Sequence, residues 1–171
     1  MKLWYYAPYN KEAGFNLIEM LTVTIIIGIF AAIAIPNLIG ILRRNQVNAA
    51  LQTLYGAIKE TQRQAIRQGR LCRINFDLTN NVLTGNPANC LLSDREIDDD
   101  IIIRTNLSGT PPNISFSAKG STTKSGTIVV SSNMTNEQKC FVISLGLGIM
   151  RTGNYTGSST GSVSATNCQP N

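Results

Sequence analysis

Glu19 is a single carboxylate at the edge of the longest apolar stretch in the chain. No charged residue occurs from Met20 to Leu42, a run of 23 residues that ends at Arg43-Arg44. A helix of that length rises about 34 Å, which is enough to cross a hydrocarbon core of ~30 Å. An unpaired carboxylate costs roughly 2.5–3.5 kcal/mol near the bilayer centre and less near its edge. The pattern predicts a membrane-spanning helix whose acid has a partner, with a headgroup position as the simpler alternative.

Two other kinds of membrane segment compete with this interpretation. A secretory signal peptide would use Leu21 to Ala34 as its apolar region, with Ala32-Ile33-Ala34 as the cleavage site. The apolar run continues past that point to Leu42, however, and Glu19 stands at its front edge. A plain N-terminal anchor, with Glu19 as an incidental flank, is the other alternative.

Pro36 interrupts the apolar run and is followed by Gly40. A proline inside a helix removes one backbone hydrogen bond and clashes with the preceding turn. We therefore expect the helix to bend or loosen locally between about Ala32 and Gly40, as membrane helices tolerate.

The segment Gly14-Phe15-Asn16-Leu17-Ile18-Glu19 resembles the prepilin-peptidase signature of type IV pilins and type II secretion pseudopilins. The resemblance implies a leader over residues 1–14, cleavage between Gly14 and Phe15, and N-methylation of Phe15. It makes Glu19 the fifth mature residue, which would pair with the terminal amine of a neighbouring subunit. It also matches Pro36 to the proline that loosens the long helix of that family.

The same resemblance implies a location and a set of partners. Charge alone leaves the orientation open, because Lys2 and Lys11 favour a cytoplasmic N-terminus whereas Arg43 and Arg44 favour the reverse. The family implies a bacterial inner-membrane protein that crosses once, with the N-terminus cytoplasmic and the head outside, and that then enters a pilus or pseudopilus. The implied partners are other pilin or pseudopilin subunits, prepilin peptidase, the inner-membrane assembly platform and membrane lipid.

Four cysteines follow the apolar run at wide spacings: Cys72, Cys90, Cys140 and Cys168. Their even number and the absence of a C-x-x-C pair favour two disulfides formed in an oxidising compartment. Three connectivities are available, of which we favour the sequential one. Buried free thiols are the alternative.

An amphipathic pattern continues the helix beyond the membrane segment. One apolar stripe recurs at spacings of three, four and seven up to about Gln68, and Gly69 is the predicted stop; its members are Val47, Leu51, Leu54, Ile58 and Ala65. A second, basic stripe contains Lys59, Arg63, Arg67 and Arg70. This stripe either contacts a polyanion or is a solvated face with ordinary pairs such as Glu60 with Arg63, and we favour the solvated face.

Beyond Gly69 the pattern changes to short strands separated by turn residues. Alternation predicts a strand at Cys72–Phe76, and apolar runs predict others at Val82, Ile101, Ile114, Gly126, Cys140 and Leu147–Arg151. The acidic run Asp98–Asp100 is read as solvated charge. The chain is thus predicted as α+β, a long N-terminal helix packed on an antiparallel β-sheet head. The expected divisions are 1–14 leader, 15–42 filament-core helix, 43–69 amphipathic helix, 70–152 head and 153–171 Gly/Ser/Thr-rich tail.

The order of residues in the head resembles the H-class (GspH/FimT-like) minor pseudopilins. The matching positions are Phe116, Gly120, the strands at Ile128–Val130 and Phe141–Ser144, Gly148 and Arg151. Some FimT-like proteins bind DNA through a Gly-Arg-x-Arg segment, where this chain has Gly148-Ile149-Met150-Arg151. The missing arginine weakens a DNA-uptake interpretation, in which Arg151 and the basic stripe would contact DNA.

No arrangement of residues suggests a catalytic, metal or cofactor site. The chain contains no histidine, the commonest general base and metal ligand, and no phosphate-binding glycine loop. The sequence therefore predicts a structural subunit, a minor pilin or pseudopilin, of a type IV pilus or type II secretion pseudopilus. A DNA-binding minor pilin is the first alternative, and an exported single-span protein that never polymerises is the second.

Overall fold

A computed structural model describes residues 14–170; residues 1–13, which make up most of the predicted leader, and the side chain of Pro36 lie outside the described residues. The chain begins with one helix, α1 (Leu17–Gln68), of 52 residues. Its first turn is closed by the Asn16 carbonyl, which accepts from the amides of Glu19 at 3.0 Å and Met20 at 3.1 Å. The helix continues through Pro36, and the bend or loosening expected there stays a prediction.

The helix ends at the glycine that the sequence predicted. Gly69 has φ +62°, a left-handed conformation that costs a glycine little. Its amide donates to the Ile66 carbonyl at 3.3 Å, and the Arg70 amide donates to the Ala65 carbonyl at 3.2 Å. These two bonds form a Schellman motif, which satisfies carbonyls that the helix end would leave free.

Nine strands follow α1. They are β1 (Cys72–Asp77), β2 (Val82–Asn86), β3 (Arg95–Glu96), β4 (Ile101–Thr105), β5 (Asn113–Phe116), β6 (Gly126–Ser132), β7 (Thr135–Ile143), β8 (Met150–Tyr155) and β9 (Cys168–Pro170). Short 3-10 turns lie at Ala88–Cys90 and Ala165–Asn167. The predicted α+β class is confirmed.

The strands form two antiparallel sheets, whereas the sequence suggested one. The first sheet has the order β3-β2-β1-β5, and the second has the order β4-β6-β7-β8-β9. Strand β4 lies in a different sheet from β3 and β5. It pairs with β6, which places Ile103 opposite Val130. Nine strands in one twisted sheet could not all face a single helix, and division into two sheets lets both pack on α1.

The core lies between the second half of α1 and the two sheets. All five residues of the predicted apolar stripe are buried, from Val47 to Ala65. They pack in one cluster with residues of both sheets, including Ile74, Phe76, Phe116, Ile128 and Phe141. Tyr55 lies edge-on to Phe141 with ring centroids 6.0 Å apart. The predicted docking of this stripe onto sheet is therefore correct.

The C-terminal residues are part of the head, which corrects the predicted boundary between 152 and 153. Strand β8 crosses that boundary, and β9 pairs with it through Tyr155 and Cys168. Tyr155, Val163 and Cys168 form a second cluster with Val129 and Cys140 on the outer face of the second sheet. The predicted strand at Leu147–Arg151 is likewise displaced, since β8 begins at Met150. Strand pairing and one disulfide order a segment whose composition is too polar to fold alone.

Candidate functional site

The first part of α1 exposes every large apolar side chain that the structure describes there. Between Phe15 and Leu42 the least exposed of these is Val23, at 42%, and the most exposed is Leu17, at 81%. By length and composition this is the one described helix able to cross a membrane. A water-exposed apolar surface of this extent requires a lipid or protein partner.

The few polar side chains in this apolar segment bond to their own helix. The hydroxyl of Thr22 donates to the Glu19 carbonyl at 2.9 Å, and that of Thr24 donates to the Leu21 carbonyl at 2.8 Å. The Asn37 amide reaches the Ile33 carbonyl at 3.4 Å. Bonds of this kind satisfy hydroxyls and amides within one helix, so they need no outside partner.

Glu19 differs from these polar residues. Its side chain is exposed, and within residues 14–170 it has no side-chain hydrogen bond or ion pair. It lies in the first turn of α1, where the free amides of a helix N-terminus favour a negative charge. Gly14 and Phe15 precede the helix and are also exposed. Within residues 14–170 the carboxylate is therefore available to a further partner.

Where α1 enters the head, Arg43 and Gln46 contact acids of the loop between β3 and β4. Arg43 contacts Asp100 at 3.0 Å, and the Gln46 amide donates to the Asp98 carboxylate at 3.4 Å. The acidic run was read as solvated charge, yet two of its three members face the helix. These contacts were not predictable from local pattern because 52 to 57 residues separate the partners.

A second ion pair holds Arg44 to strand β7. Its guanidinium lies 3.5 Å from the Glu137 carboxylate, which also contacts the Lys139 ammonium at 2.7 Å. Arg44 is two-thirds exposed, so this contact is weak in water. Together with Arg43, it ties the double arginine that ends the apolar run to the head.

Two residues of the basic stripe of α1 have side-chain contacts within the described part of the chain, and two have no acidic partner there. Lys59 is half-buried over the Tyr55 ring at 5.8 Å, and Arg70 donates to the Asn89 side chain. Arg63 and Arg67 are exposed, with no acidic partner among the described residues. Glu60 does not pair with Arg63 as the sequence suggested.

Glu60 instead holds the segment that follows the second cysteine. It contacts Arg95 at 3.0 Å and accepts the Leu92 amide at 2.8 Å. Because Glu60 bonds to this segment, it does not neutralise the exposed Arg63 and Arg67 on the following turns of α1.

Arg151 does not join the basic stripe, so the cations considered as polyanion contacts lie on separate surfaces. It pairs with Val142, which packs in the outer cluster, and the residue before it, Met150, packs against the core. Successive side chains on a strand point to opposite faces, so Arg151 lies on the outer face of the second sheet. There it donates to the Ala165 carbonyl at 3.4 Å, with the sheet between it and α1.

Two disulfides join Cys72 to Cys90 and Cys140 to Cys168, the sequential connectivity that the sequence favoured. The first ties β1 to the turn after β2. The second holds β9 against β7 across β8. No free cysteine is present among the described residues.

Three of the positions that matched the H-class pattern, Phe116, Gly120 and Gly148, meet at one point beside α1. A Cβ added to Gly148 would lie 3.2 Å from the Gln62 side chain, 3.4 Å from Phe116 and 3.5 Å from the Gly120 carbonyl. Gln62 donates to that carbonyl at 2.8 Å. The two glycines thus permit loops from both sheets to close on the helix, which is a packing role.

Two ionisable groups in the head have shifted pKa values. The pKa of Asp77 is lowered by hydrogen bonds from the side chain and amide of Asn80 and from the Thr79 amide. The pKa of Lys124 is lowered by burial and then by the charge of Arg73. Asp77 shapes the turn between β1 and β2, and Lys124 bonds the Ser108 carbonyl and the Asn113 side chain. Both groups have structural partners, and no cluster of metal-binding side chains occurs in the described part of the chain.

Comparison with known proteins agrees with this arrangement. Two solved structures share the fold, each with a TM-score of 0.53. The type IV minor pilin FimU of Pseudomonas aeruginosa is 16% identical and matches 63% of this chain and 88% of its own. The minor pseudopilin EpsH of the Vibrio cholerae type 2 secretion system is 13% identical and matches 64% of this chain and 97% of its own.

No curated protein matches the chain by sequence. The sequence model of the family described as type II transport protein GspH matches residues 50–147, more than half of the 171 residues. The matched region begins in the second half of α1 and ends in the loop after β7. The chain therefore belongs to the type II transport protein GspH family, a family of structural pilin-like subunits.

Proposed function

We propose that the chain is a minor pilin or pseudopilin that polymerises through the exposed part of α1. The observation that carries this proposal is the long apolar helix surface with a single carboxylate that lacks a partner among residues 14–170. Family membership supports assembly with other pilin-like subunits. Identifying the genes beside this one would show whether the filament is a type IV pilus or a secretion pseudopilus.

Prepilin peptidase would cut between Gly14 and Phe15, and the new amine on Phe15 would be methylated. A cationic amine on a neighbouring subunit is then the natural partner for Glu19. Pairing would remove the cost of an isolated carboxylate in an apolar surrounding, which is several kcal/mol. Because the pair is short-ranged, it would also fix how far one helix slides along another.

Before assembly, the same segment would anchor the chain in the bacterial inner membrane with lipid around it. The N-terminus would be cytoplasmic and the head outside, where disulfides form. Arg43 and Arg44 would then lie on the outer side, against the usual positive-inside bias. Both arginines contact acids of the head, which reduces that conflict.

Pro36 would act when subunits leave the bilayer for the filament through the assembly platform. Its missing hydrogen bond makes the surrounding turns the easiest place for α1 to stretch. The helical backbone found here would be the form before that change.

Substitution of Glu19 tests the proposal. We expect Glu19→Ala and Glu19→Gln to insert in the membrane with the head folded and both disulfides formed, but to be lost from sheared filaments. Asp94→Ala, which removes an exposed acid of the head, is the matched control and should assemble normally. Wild-type assembly of both Glu19 variants would contradict the pairing role.

A further inference from the structure

A cavity of about 570 Å³ lies on the outer face of the second sheet. Residues of β4, β6 and β7 line it on one side, and residues 156–164, which we call the C-terminal loop, close it on the other. Arg104 pairs with Val129 of the outer cluster, and Gln138 lies two positions from Cys140, so both side chains are on the outer face. Sites for small ligands have volumes of about 300–1,000 Å³, so the cavity has the size of a binding site.

The lining of this cavity is polar and carries one positive charge. Apart from Ile102 and Arg104, every lining residue has a hydroxyl or a carboxamide group: three serines, two threonines, two asparagines and one glutamine. None of the described residues that line it is acidic. The neighbouring Glu137 lies on the opposite face of β7, where it pairs with Arg44 and Lys139. The cavity therefore favours an anion that also has groups to donate and accept hydrogen bonds.

Uncharged groups hold the Arg104 side chain in place. Its guanidinium carbon lies 5.8 Å from the centre of the Tyr155 ring. It donates to the Gln138 side-chain oxygen at 2.6 Å and to the Gly161 carbonyl at 3.5 Å. Gln138 is fixed in turn, because its amide donates to the Gly157 carbonyl at 3.1 Å. A cation positioned in this way loses little conformational entropy when a ligand binds.

The guanidinium of Arg104 has no counter-ion in the part of the chain that the structure describes. It forms no ion pair there, and its buried Nε has no hydrogen-bond partner. The terminal nitrogens of an arginine carry four N–H groups, of which the bonds to Gln138 and Gly161 use two. A half-buried charge without a partner is costly, and a carboxylate bound to the remaining N–H groups would reduce that cost.

We propose that this cavity binds a sugar that carries a carboxylate, such as a uronic acid unit of an acidic polysaccharide. Arg104 would bind the carboxylate, and the surrounding hydroxyl and carboxamide groups would bond to the sugar hydroxyls. An acidic peptide fits this lining less well, because it has carboxylates but few hydroxyls. A peptide strand would also add to the free edge of the second sheet at β4 rather than lie on its face.

The inference goes beyond the proposed function, because sugar binding by the head does not require polymerisation. The second half of α1 packs on the inner face of the second sheet, whereas the cavity lies on its outer face. Assembly through the exposed part of α1 would therefore leave the cavity open to solvent.

Titration of the full-length chain in detergent with trigalacturonate, followed by calorimetry, tests the inference. Three other probes separate the sources of binding: a neutral galactose trisaccharide, a capped triglutamate peptide with the same number of carboxylates, and acetate. We expect trigalacturonate to bind about tenfold more tightly than each of them, because only this probe combines carboxylates with sugar hydroxyls.

Two substitutions place the binding in the cavity. Arg104→Gln removes the charge and should weaken trigalacturonate binding about tenfold. Thr160→Trp, on the exposed C-terminal loop, fills the cavity from outside and should weaken binding to a similar extent. Lys119→Gln, which removes an exposed cation outside the cavity, is the matched control and should bind like the unaltered chain. Formation of both disulfides and a cooperative urea transition verify the fold of every variant.

Several results would overturn the inference. Equal binding of acetate would show that the cavity takes any small anion, and equal binding of triglutamate would show that it takes an acidic peptide. Equal binding of the neutral trisaccharide, no binding of trigalacturonate, or binding that Arg104→Gln and Thr160→Trp leave unchanged would also contradict it. None of these results bears on Glu19, whose role is measured by filament assembly. A chain that binds trigalacturonate but never enters filaments would instead contradict the proposed function alone.

Discussion

The two parts of α1 have the same backbone and opposite surroundings. From Val47 to Ala65 an apolar stripe is buried under two sheets, and the polar positions around it bond to the head. From Phe15 to Leu42 the apolar residues surround the helix and none of the large ones that the structure describes is buried. The buried part takes its stability from its own chain, whereas the exposed part depends on lipid or on other subunits.

This contrast shows how one helix serves both folding and assembly. An apolar stripe on one face of a helix suits a fixed partner in the same chain, because the remaining faces stay exposed to solvent. An apolar surface on all faces suits surroundings that are apolar on every side, as in a bilayer or a bundle of helices. The single acid at Glu19 then distinguishes a helix that only inserts from one that also recognises a neighbour.

The largest expected effect is on the free energy of unfolding, and it compares a buried leucine of α1 with an exposed one. Leu54→Ala should lower the free energy of unfolding of the head by about 2–5 kcal/mol, since it leaves a cavity in the core. Leu38→Ala, in the exposed part, should change it by less than about 0.5 kcal/mol. Urea denaturation of the full chain in detergent measures both. Equal losses would contradict the division of α1 into two parts.

The disulfides give a second test of the difference between the two parts of the molecule, because all four cysteines lie in the head. Replacing either pair with alanines should cost roughly 2–4 kcal/mol. The loops that they close span 18 and 28 residues, so loss of Cys140–Cys168 should cost about 0.4 kcal/mol more in the chain-entropy model. Comparing the denaturation midpoints of the two double variants tests the order, and membrane insertion should be unchanged in both.

A smaller effect comes from the polar contacts of the buried part of α1. Glu60→Ala removes the acceptor of the Leu92 amide and the partner of Arg95, and we expect a loss of about 1–2 kcal/mol. Arg63→Ala, one turn away and exposed, should be neutral within about 0.5 kcal/mol. If Arg63→Ala proved as costly as Glu60→Ala, the basic stripe would have a folding role that the structure does not show.

The smallest expected effect is on the stability of the head at low pH. The hydrogen bonds of Asp77 place its pKa below the ordinary value of 3.8. Its contribution to stability is therefore present above about pH 3.8 and is lost as the pH falls through the lower folded value. Asp77→Asn should reduce the slope of head stability against pH in that range. An unchanged slope in pH-dependent denaturation would show that these hydrogen bonds do not stabilise the charged form.

Local signals predicted much of this fold. Gly69 ends α1 because only a residue free to adopt positive φ completes the Schellman turn, and that is visible in the sequence. The alternation at Cys72–Phe76 predicted β1 because one face is buried. The spacing of Val47, Leu51 and Leu54 likewise predicted the core face of the helix.

Long-range pairing was not predictable in the same way. Asp98 and Asp100 looked solvated because Gln46 and Arg43 are distant in sequence. Strand β9 has three residues and no apolar pattern, so its pairing with β8 is fixed by tertiary contacts. Arg151 was grouped with the basic stripe because charge alone does not tell which face of a sheet a residue occupies.

The mass and N-terminal sequence of the mature chain, isolated from the cell envelope, test the central claim most directly. If the exposed part of α1 is an assembly segment, the mature chain should begin at Phe15 with a methylated amine and retain Glu19 as its fifth residue. A chain that keeps its first fourteen residues, or one that begins at Ile35 without the apolar helix, would contradict the account.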